Sequence, residues 1–219
     1  MRNYFRYLVY LVAVAGFSLA YAGSYEDFFI AIKRDNPRTM ADLLNRGFDA
    51  NTLDPKGLHG LLLAMQEPSP KVADVLIRWP KTNVESRNAS DESPLMLAAL
   101  KGELELCRKL LERGADVNKT GWTPLHYAAT NGHLEVMNLL LEHHAYIDAE
   151  SPNGTTPLMM AAHYGTTAGV KLLLEAGADA TLRNQLGMTA IDFANKASRT
   201  DAAELIAASL RSRQPRGKW

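Results

Sequence analysis

The sequence predicts an all-α repeat solenoid of about six stacked units, each a helix–turn–helix plus a hairpin loop. Three observations lead there. The stretches "SPLMLAALKGELELCRKLLERGADVN" (93–118), "TPLHYAATNGHLEVMNLLLEHHAYID" (123–148) and "TPLMMAAHYGTTAGVKLLLEAGADAT" (156–181) align without gaps. Pro94, Pro124 and Pro157 share one position in that alignment, and Ala190 in "GMTAIDFANKA" occupies it a fourth time. With Asp27 and Gly60 as its upstream equivalents, the successive steps are 33, 34, 30, 33 and 33 residues. A fixed period of this length marks supersecondary units that bury their apolar faces only against one another.

Taken in order, residues 1–22 have the layout of a secretory signal peptide and fall outside the fold. Arg2 and Arg6 precede the apolar run "YLVYLVAVAGFSLA", and Ala20-Tyr21-Ala22 offers small residues to a signal peptidase, with Gly23 as the expected mature start. The run is short for a membrane span, which takes about 20 residues; if retained, it would act as an anchor. Without Arg2 and Arg6 the chain carries 22 basic and 24 acidic side chains, a net charge of about −2. That balance excludes a role driven by attraction to nucleic acid or anionic lipid. The single Cys107 cannot form an internal disulfide. Export without disulfides suits a bacterial periplasm.

The repeat domain is read as 23–210, with units at 24–56, 57–90, 91–120, 121–153, 154–186 and 187–210, followed by a basic flexible tail at 211–219. The first two units keep the apolar spacing in "YEDFFIAIKRDNPRTMADLLNRGFDAN" and "GLHGLLLAMQEPSPKVADVLIRW" but have lost most of the shared letters. The fourth unit shows the local physics. Thr123 can cap a helix, and Pro124 sits where a missing N–H costs nothing. Leu125, Ala128 and Ala129 form a small apolar stripe, and Gly132 ends the helix. A second helix from Leu134 turns Leu134, Met137, Leu140 and Leu141 inward at a spacing of three or four. The turn before this unit has only Lys119 and Thr120 between Asn118 and Gly121, whereas "AESPN" and "LRNQL" have five residues in that place. The row of hairpin tips is therefore expected to have a notch beside Trp122.

The period and the recurring TPLH…G…LLL…GAD pattern resemble the ankyrin repeat over about residues 24–210. The resemblance implies a monomeric module that binds another protein through its hairpin tips and the exposed side of its short helices, which line a concave face. It also implies that His126, at the histidine of the TPLH signature, is a structural hydrogen-bonding residue near the hairpin.

The histidines decide whether chemistry is expected as well. His133 opens a helix and His143 and His144 lie at its far end, roughly 15 Å away at 1.5 Å per residue. Adjacent helical side chains also point about 100° apart, so no tight metal shell gathers them. A metal enzyme built on His126, His133 and His163 is the weakest reading. The chain has no GxGxxG, phosphate loop, HExxH or GxSxG motif. No catalytic, cofactor or metal residues are expected. The candidate partner-binding residues are Trp122, Tyr127, Thr130 and Asn131; Asn153, Met160, His163 and Tyr164; Leu97, Leu100 and Lys101; and Arg183, Gln185 and Met188. Trp122, at a turn position facing outward, is the first expected anchor. Small exported ankyrin proteins of this kind resemble two bacterial groups, one linked to catalase and oxidative-stress defence, the other neutralising a toxic effector as immunity proteins. The expected function is thus a non-catalytic binder of a periplasmic protein. The alternative is a scaffold in the envelope, anchored in the inner membrane through an uncleaved N-terminal helix.

Overall fold

A computed structural model describes residues 23–213. The expected leader at 1–22 and the end of the expected tail at 214–219 lie outside the described residues. Helices come in pairs: α1 (residues 23–33) with α2 (Pro37–Asn45), α3 (Gly60–Gln66) with α4 (Pro70–Arg78), α5 (Pro94–Lys101) with α6 (Leu104–Glu112), α7 (Pro124–Asn131) with α8 (Leu134–Glu142), α9 (Pro157–His163) with α10 (Thr167–Glu175), and α11 (Ala190–Lys196) with α12 (Thr200–Arg213). The result is an all-α repeat solenoid. Where the sequence predicts one domain, the packing divides between Asn83 and Val84 into two compact units.

In the first unit α3 opens at Gly60, as the period requires, whereas α1 already runs at residue 23 and so places Asp27 within the helix, not at its start. Gly60 replaces the proline for a steric reason. A Cβ there would lie 2.6 Å from Cε1 of Phe28, a fully buried ring of the unit's core. His59 caps α3 with its ring. Its Nδ1 accepts from the Leu61 N–H at 3.1 Å, so Nε2 carries the proton and donates to Asn51 Oδ1 at 3.0 Å. Burial holds His59 below the ordinary imidazole range, partly offset by the nearby Asp49 carboxylate.

In the second unit the inner helices α5, α7, α9 and α11 stack in sequence, with α6, α8, α10 and α12 behind them. Their starts are written locally. Ser93, Thr156 and Thr189 accept from the N–H groups of Met96, Met159 and Asp192 at 3.2, 3.4 and 3.4 Å. Proline, or alanine in the last case, follows each cap. Leu95, Ala98, Ala99, Leu125, Ala128, Ala129, Leu158, Ala161 and Ala162 fill the interior. Cys107 is wholly buried among them, and burial pushes its thiol up to about 12. In α8 the inward set differs from expectation: Val136, Met137, Leu139 and Leu140 are buried, while Leu134 and Leu141 stay half-exposed.

Four hairpin tips share one construction, at residues 54–58, 88–92, 151–155 and 184–188. The first residue of each donates its N–H to the carbonyl of the fifth, at 2.9, 3.2, 3.0 and 3.0 Å. The side-chain oxygen of Asp54, Asn88, Ser151 or Asn184 in turn accepts the N–H of the fifth residue. These side chains do for a turn what a cap does for a helix.

Polar side chains then tie each loop to the next repeat at a recurring position. Asn51 Oδ1 accepts from Asn83 N–H, Glu85 from Asp116, Asn118 from Tyr146 and Asp148 from Asp179, at 2.8, 2.9, 2.7 and 3.0 Å. His126, at 0% exposure, is the most deeply buried of these pins. Its Nδ1 accepts from the Thr123 N–H at 3.1 Å and its Nε2–H donates to the Thr155 carbonyl of the next repeat at 2.9 Å. At the C-terminal end α12 runs to Arg213, so residues 211–213, expected in the flexible tail, are helical. The Arg213 guanidinium donates to the Ala178 and Leu174 carbonyls at 2.9 and 2.8 Å, satisfying the end of α10.

Burial lowers the His126 pKa to about 4, against 6.5 for a free histidine. Between those values the unfolded chain takes up a proton that the folded chain refuses. Stability is therefore full above pH 6.5 and falls as pH drops toward 4, by on the order of 3 kcal/mol for this group. Denaturant unfolding of the parent and of His126→Gln at pH 7.5 and 5 should show a smaller pH loss in the variant. Gly165 gives a second test. A Cβ there would lie 2.3 Å from the Ala129 carbonyl oxygen, which as backbone cannot swing aside. Gly165→Ala should cost about 3 kcal/mol in urea unfolding by forcing α7 and α9 apart.

Candidate interaction surface

Each inner helix of the second unit offers its fourth residue at one register: Leu97, Tyr127, Met160 and Phe193, each three residues after the helix-opening position. Leu97 is 7% exposed and is lost to the core, which removes it from the candidates. Tyr127, Met160 and Phe193 are half-buried and form a row with one side open. The Tyr127 hydroxyl donates to Glu92 Oε1 at 2.7 Å, and burial with the neighbouring carboxylate keeps the phenol protonated well above its usual range.

Beside this row His163 gathers two rings. It meets Tyr164 edge-to-face at 4.2 Å and Phe193 at 6.0 Å, and its Nδ1–H donates to the Phe193 carbonyl at 3.0 Å. Tyr164 is 61% exposed. A large aromatic group held against its neighbours yet left in water is the type of group that anchors interfaces.

The other candidates are placed less openly. Trp122 is half-buried and set edge-on against His126 at 5.2 Å instead of standing out from its turn. Asn131 is exposed but donates to the Leu100 carbonyl at 2.7 Å, and the half-buried Thr130 donates to the His126 carbonyl at 2.8 Å. Leu100 and Met188 are half-buried, and Lys101 is exposed. Arg183 donates to the Gly187 carbonyl at 2.6 Å within its own tip. Gln185 bridges tips, giving its backbone N–H to Asn153 and its side-chain amide to Pro152, at 3.0 and 2.8 Å.

At the short turn of residues 119–120 a side chain reaches back to the preceding tip. The Lys119 ammonium pairs with Asp91 on the preceding tip and donates to its neighbour Thr120 carbonyl at 3.1 Å, and its side chain is 11% exposed. The ion pair with Lys119 also holds the Asp91 carboxyl below the usual carboxylate range. Phe193 and Glu92 were not among the sequence candidates, although counting three residues on from Ala190 reaches Phe193.

Three of the six histidines, His126, His133 and His163, are occupied as cross-repeat pins. His133 Nε2–H donates to the Leu100 carbonyl at 3.0 Å, as His126 and His163 do to Thr155 and Phe193. Facing a carbonyl, each of those nitrogens must carry its proton and has no lone pair to give a metal. Among the described residues no group of three histidine, cysteine or acidic side chains is placed to hold a metal ion.

Family models for ankyrin repeats in three copies match residues 28–120 and 61–151, and a model for many copies matches 140–194. The chain belongs to the ankyrin-repeat family. Among its relatives, the ankyrin repeat and SAM domain-containing protein 6 of Rattus norvegicus is 34% identical over 172 residues, covering 76% of this chain and 16% of that protein. The nuclear factor NF-kappa-B p105 subunit of Gallus gallus is 32% identical over 162 residues, 71% of this chain and 16% of that one. A putative ankyrin repeat-containing protein of Treponema pallidum (strain Nichols) is 28% identical over 171 residues, 78% of this chain and 47% of that one. The chain thus spans less than half the length of these relatives. Ankyrin repeats are generally non-catalytic protein–protein interaction modules.

If Tyr164 belongs to the surface and Leu97 to the core, truncating them should differ sharply. Tyr164→Ala should change unfolding free energy by less than about 0.5 kcal/mol, and Leu97→Ala should cost about 2 to 3 kcal/mol, both read by denaturant titration.

Proposed function

We propose that this ankyrin array is an exported, non-catalytic module that holds a partner protein against the inner-helix row of its second unit. The observation that carries the reading is the strip of Tyr127, Met160 and Phe193 with the exposed Tyr164 beside it. The Tyr127 hydroxyl is already committed to Glu92, so what the row offers a partner is mainly rigid aromatic and apolar area. Such a surface binds without much ordering cost, because α7, α9 and α11 present the row and the C-cap of α9 holds Tyr164 beside it.

Export to the periplasm is supported by the basic, apolar and small-residue layout of residues 1–22 and by a single cysteine that is buried. There the partner is either a toxic effector that the array neutralises or a component of oxidative-stress defence. If residues 7–20 stay attached, the same array serves as an envelope scaffold. No helix among the described residues is long and apolar enough to cross a membrane.

The test uses the chain from Gly23 onward, immobilised beside a Tyr164→Glu variant and exposed to periplasmic extract. Because Tyr164 is exposed, the variant should keep its helicity and melting temperature. A partner held by the parent and reduced about tenfold on the variant, equivalent to about 1.4 kcal/mol, is the expected outcome. Equal capture by both proteins would overturn the placement on this row.

A further inference from the structure

At its Tyr127 end the aromatic row meets a carboxylate that no cation neutralises. Glu92 closes the hairpin tip before α5 and is half-buried. Its backbone is fixed by the turn: its N–H donates to Asn88 Oδ1 at 2.9 Å, and its carbonyl accepts the Asn88 N–H at 3.2 Å. Its side chain is fixed at both oxygens. Oε2 accepts from Asn88 Nδ2 at 2.6 Å, and Oε1 accepts the Tyr127 hydroxyl at 2.7 Å. Both donors are neutral, so they order the carboxylate without cancelling its charge. Each oxygen has a second lone pair to offer.

The cations of the region are committed elsewhere. Arg87 bonds Glu85 at 2.7 Å and lies 3.8 Å from Asp91. Lys119 pairs with Asp91 and donates to the Thr120 carbonyl. On the inner helices Lys101 is engaged within the fold. Lys196 belongs to α11, two helices along the stack from α7, about 20 Å away at a helix spacing of about 10 Å. Among the described residues no lysine, arginine or histidine pairs with Glu92.

A half-buried charge without a counter-ion is a group that gains when one is delivered. Beside it Tyr127 keeps one side open. Because the phenol oxygen is bonded to Glu92, one guanidinium can lie on the ring and reach the carboxylate together. A planar fork suits that double contact better than the point charge of a lysine.

Taking the row as the docking surface proposed above, we infer that the partner anchors there through an arginine stacked on Tyr127 and hydrogen-bonded to Glu92. Apolar side chains of the same segment then follow along Met160 and Phe193. The charged end and the apolar end fix the direction in which the segment lies. An extended strand rises about 3.3 Å per residue, so one helix spacing of about 10 Å takes about three residues.

The test is a titration of the ¹⁵N-labelled chain with acetyl-Arg-Ser-Ser-Leu-Ser-Ser-Phe-amide and with its twin carrying citrulline, the neutral isostere of arginine. The arginine peptide should shift the amides of Glu92, Tyr127 and Met160 and bind about tenfold more tightly than the twin at low salt. Salt at about 1 M should bring the two affinities together. Glu92→Gln should also bind both alike, and the salt comparison reads the same charge without any variant. Equal binding of both peptides on the row would overturn the arginine anchor and leave the row standing. A preference that survives Glu92→Gln, shifts away from Glu92 and Tyr127, or no shift with either peptide up to about 2 mM would overturn it as well. The row itself is judged separately, by capture from extract with Tyr164→Glu.

Discussion

Helices of seven to nine residues, such as α3, α5 and α8, are too short to persist alone in water. Every other feature of this molecule follows from the need to hold each pair of them against the next. Apolar burial supplies the attraction, through alanines where helices approach closely and leucines or methionines where they do not. Burial alone is not directional, so neighbouring repeats could slide. Register is set by hydrogen bonds from one repeat to the backbone of the next, made by Asn51, Glu85, Asn118 and Asp148 in the loops and by the histidine rings.

The same requirement gives the buried histidine rings a structural task. A ring that donates to a carbonyl across a repeat boundary has one nitrogen committed. In His126 the other nitrogen is committed as well, to the start of its own helix. The arrangement needs a neutral ring, and burial keeps it neutral. Different residues do this work at equivalent positions. Ser69 donates to Ile32, His133 to Leu100 and Arg199 to Ala161, so the bond recurs where the residue type does not.

The pins leave some surface unconsumed. In the second unit they leave the open side of Tyr127, Met160 and Phe193 with the ring of Tyr164, where we propose that a partner docks. In the first they leave a groove lined by Tyr25, Phe29, Ile30 and Leu63. The divergent first repeat, which has lost the shared letters, is thus not merely a worn copy of the others. Its α1 trades the small apolar stripe for aromatic rings, and those rings both fill the core at Phe28 and line a groove at Tyr25 and Phe29.

Much of the architecture was legible in the sequence, because a repeat states its period several times over. The helix starts at Pro94, Pro124, Pro157 and Ala190 follow from the cap preceding each one, and even Gly60 was placed by counting alone. These are local matters, decided by N-caps, proline and glycine within a few residues. What counting could not reach was which face each side chain meets. Leu97 and Tyr127 hold the same register, yet one is buried and the other half-open. Trp122 lies edge-on against His126 instead of standing in water, and Lys119 crosses to Asp91 where a notch was expected. Helix starts depend on neighbours in the chain, so the sequence by itself determined them. Exposure and pairing depend on groups about thirty residues away, brought near only by stacking, so only the tertiary structure could decide them.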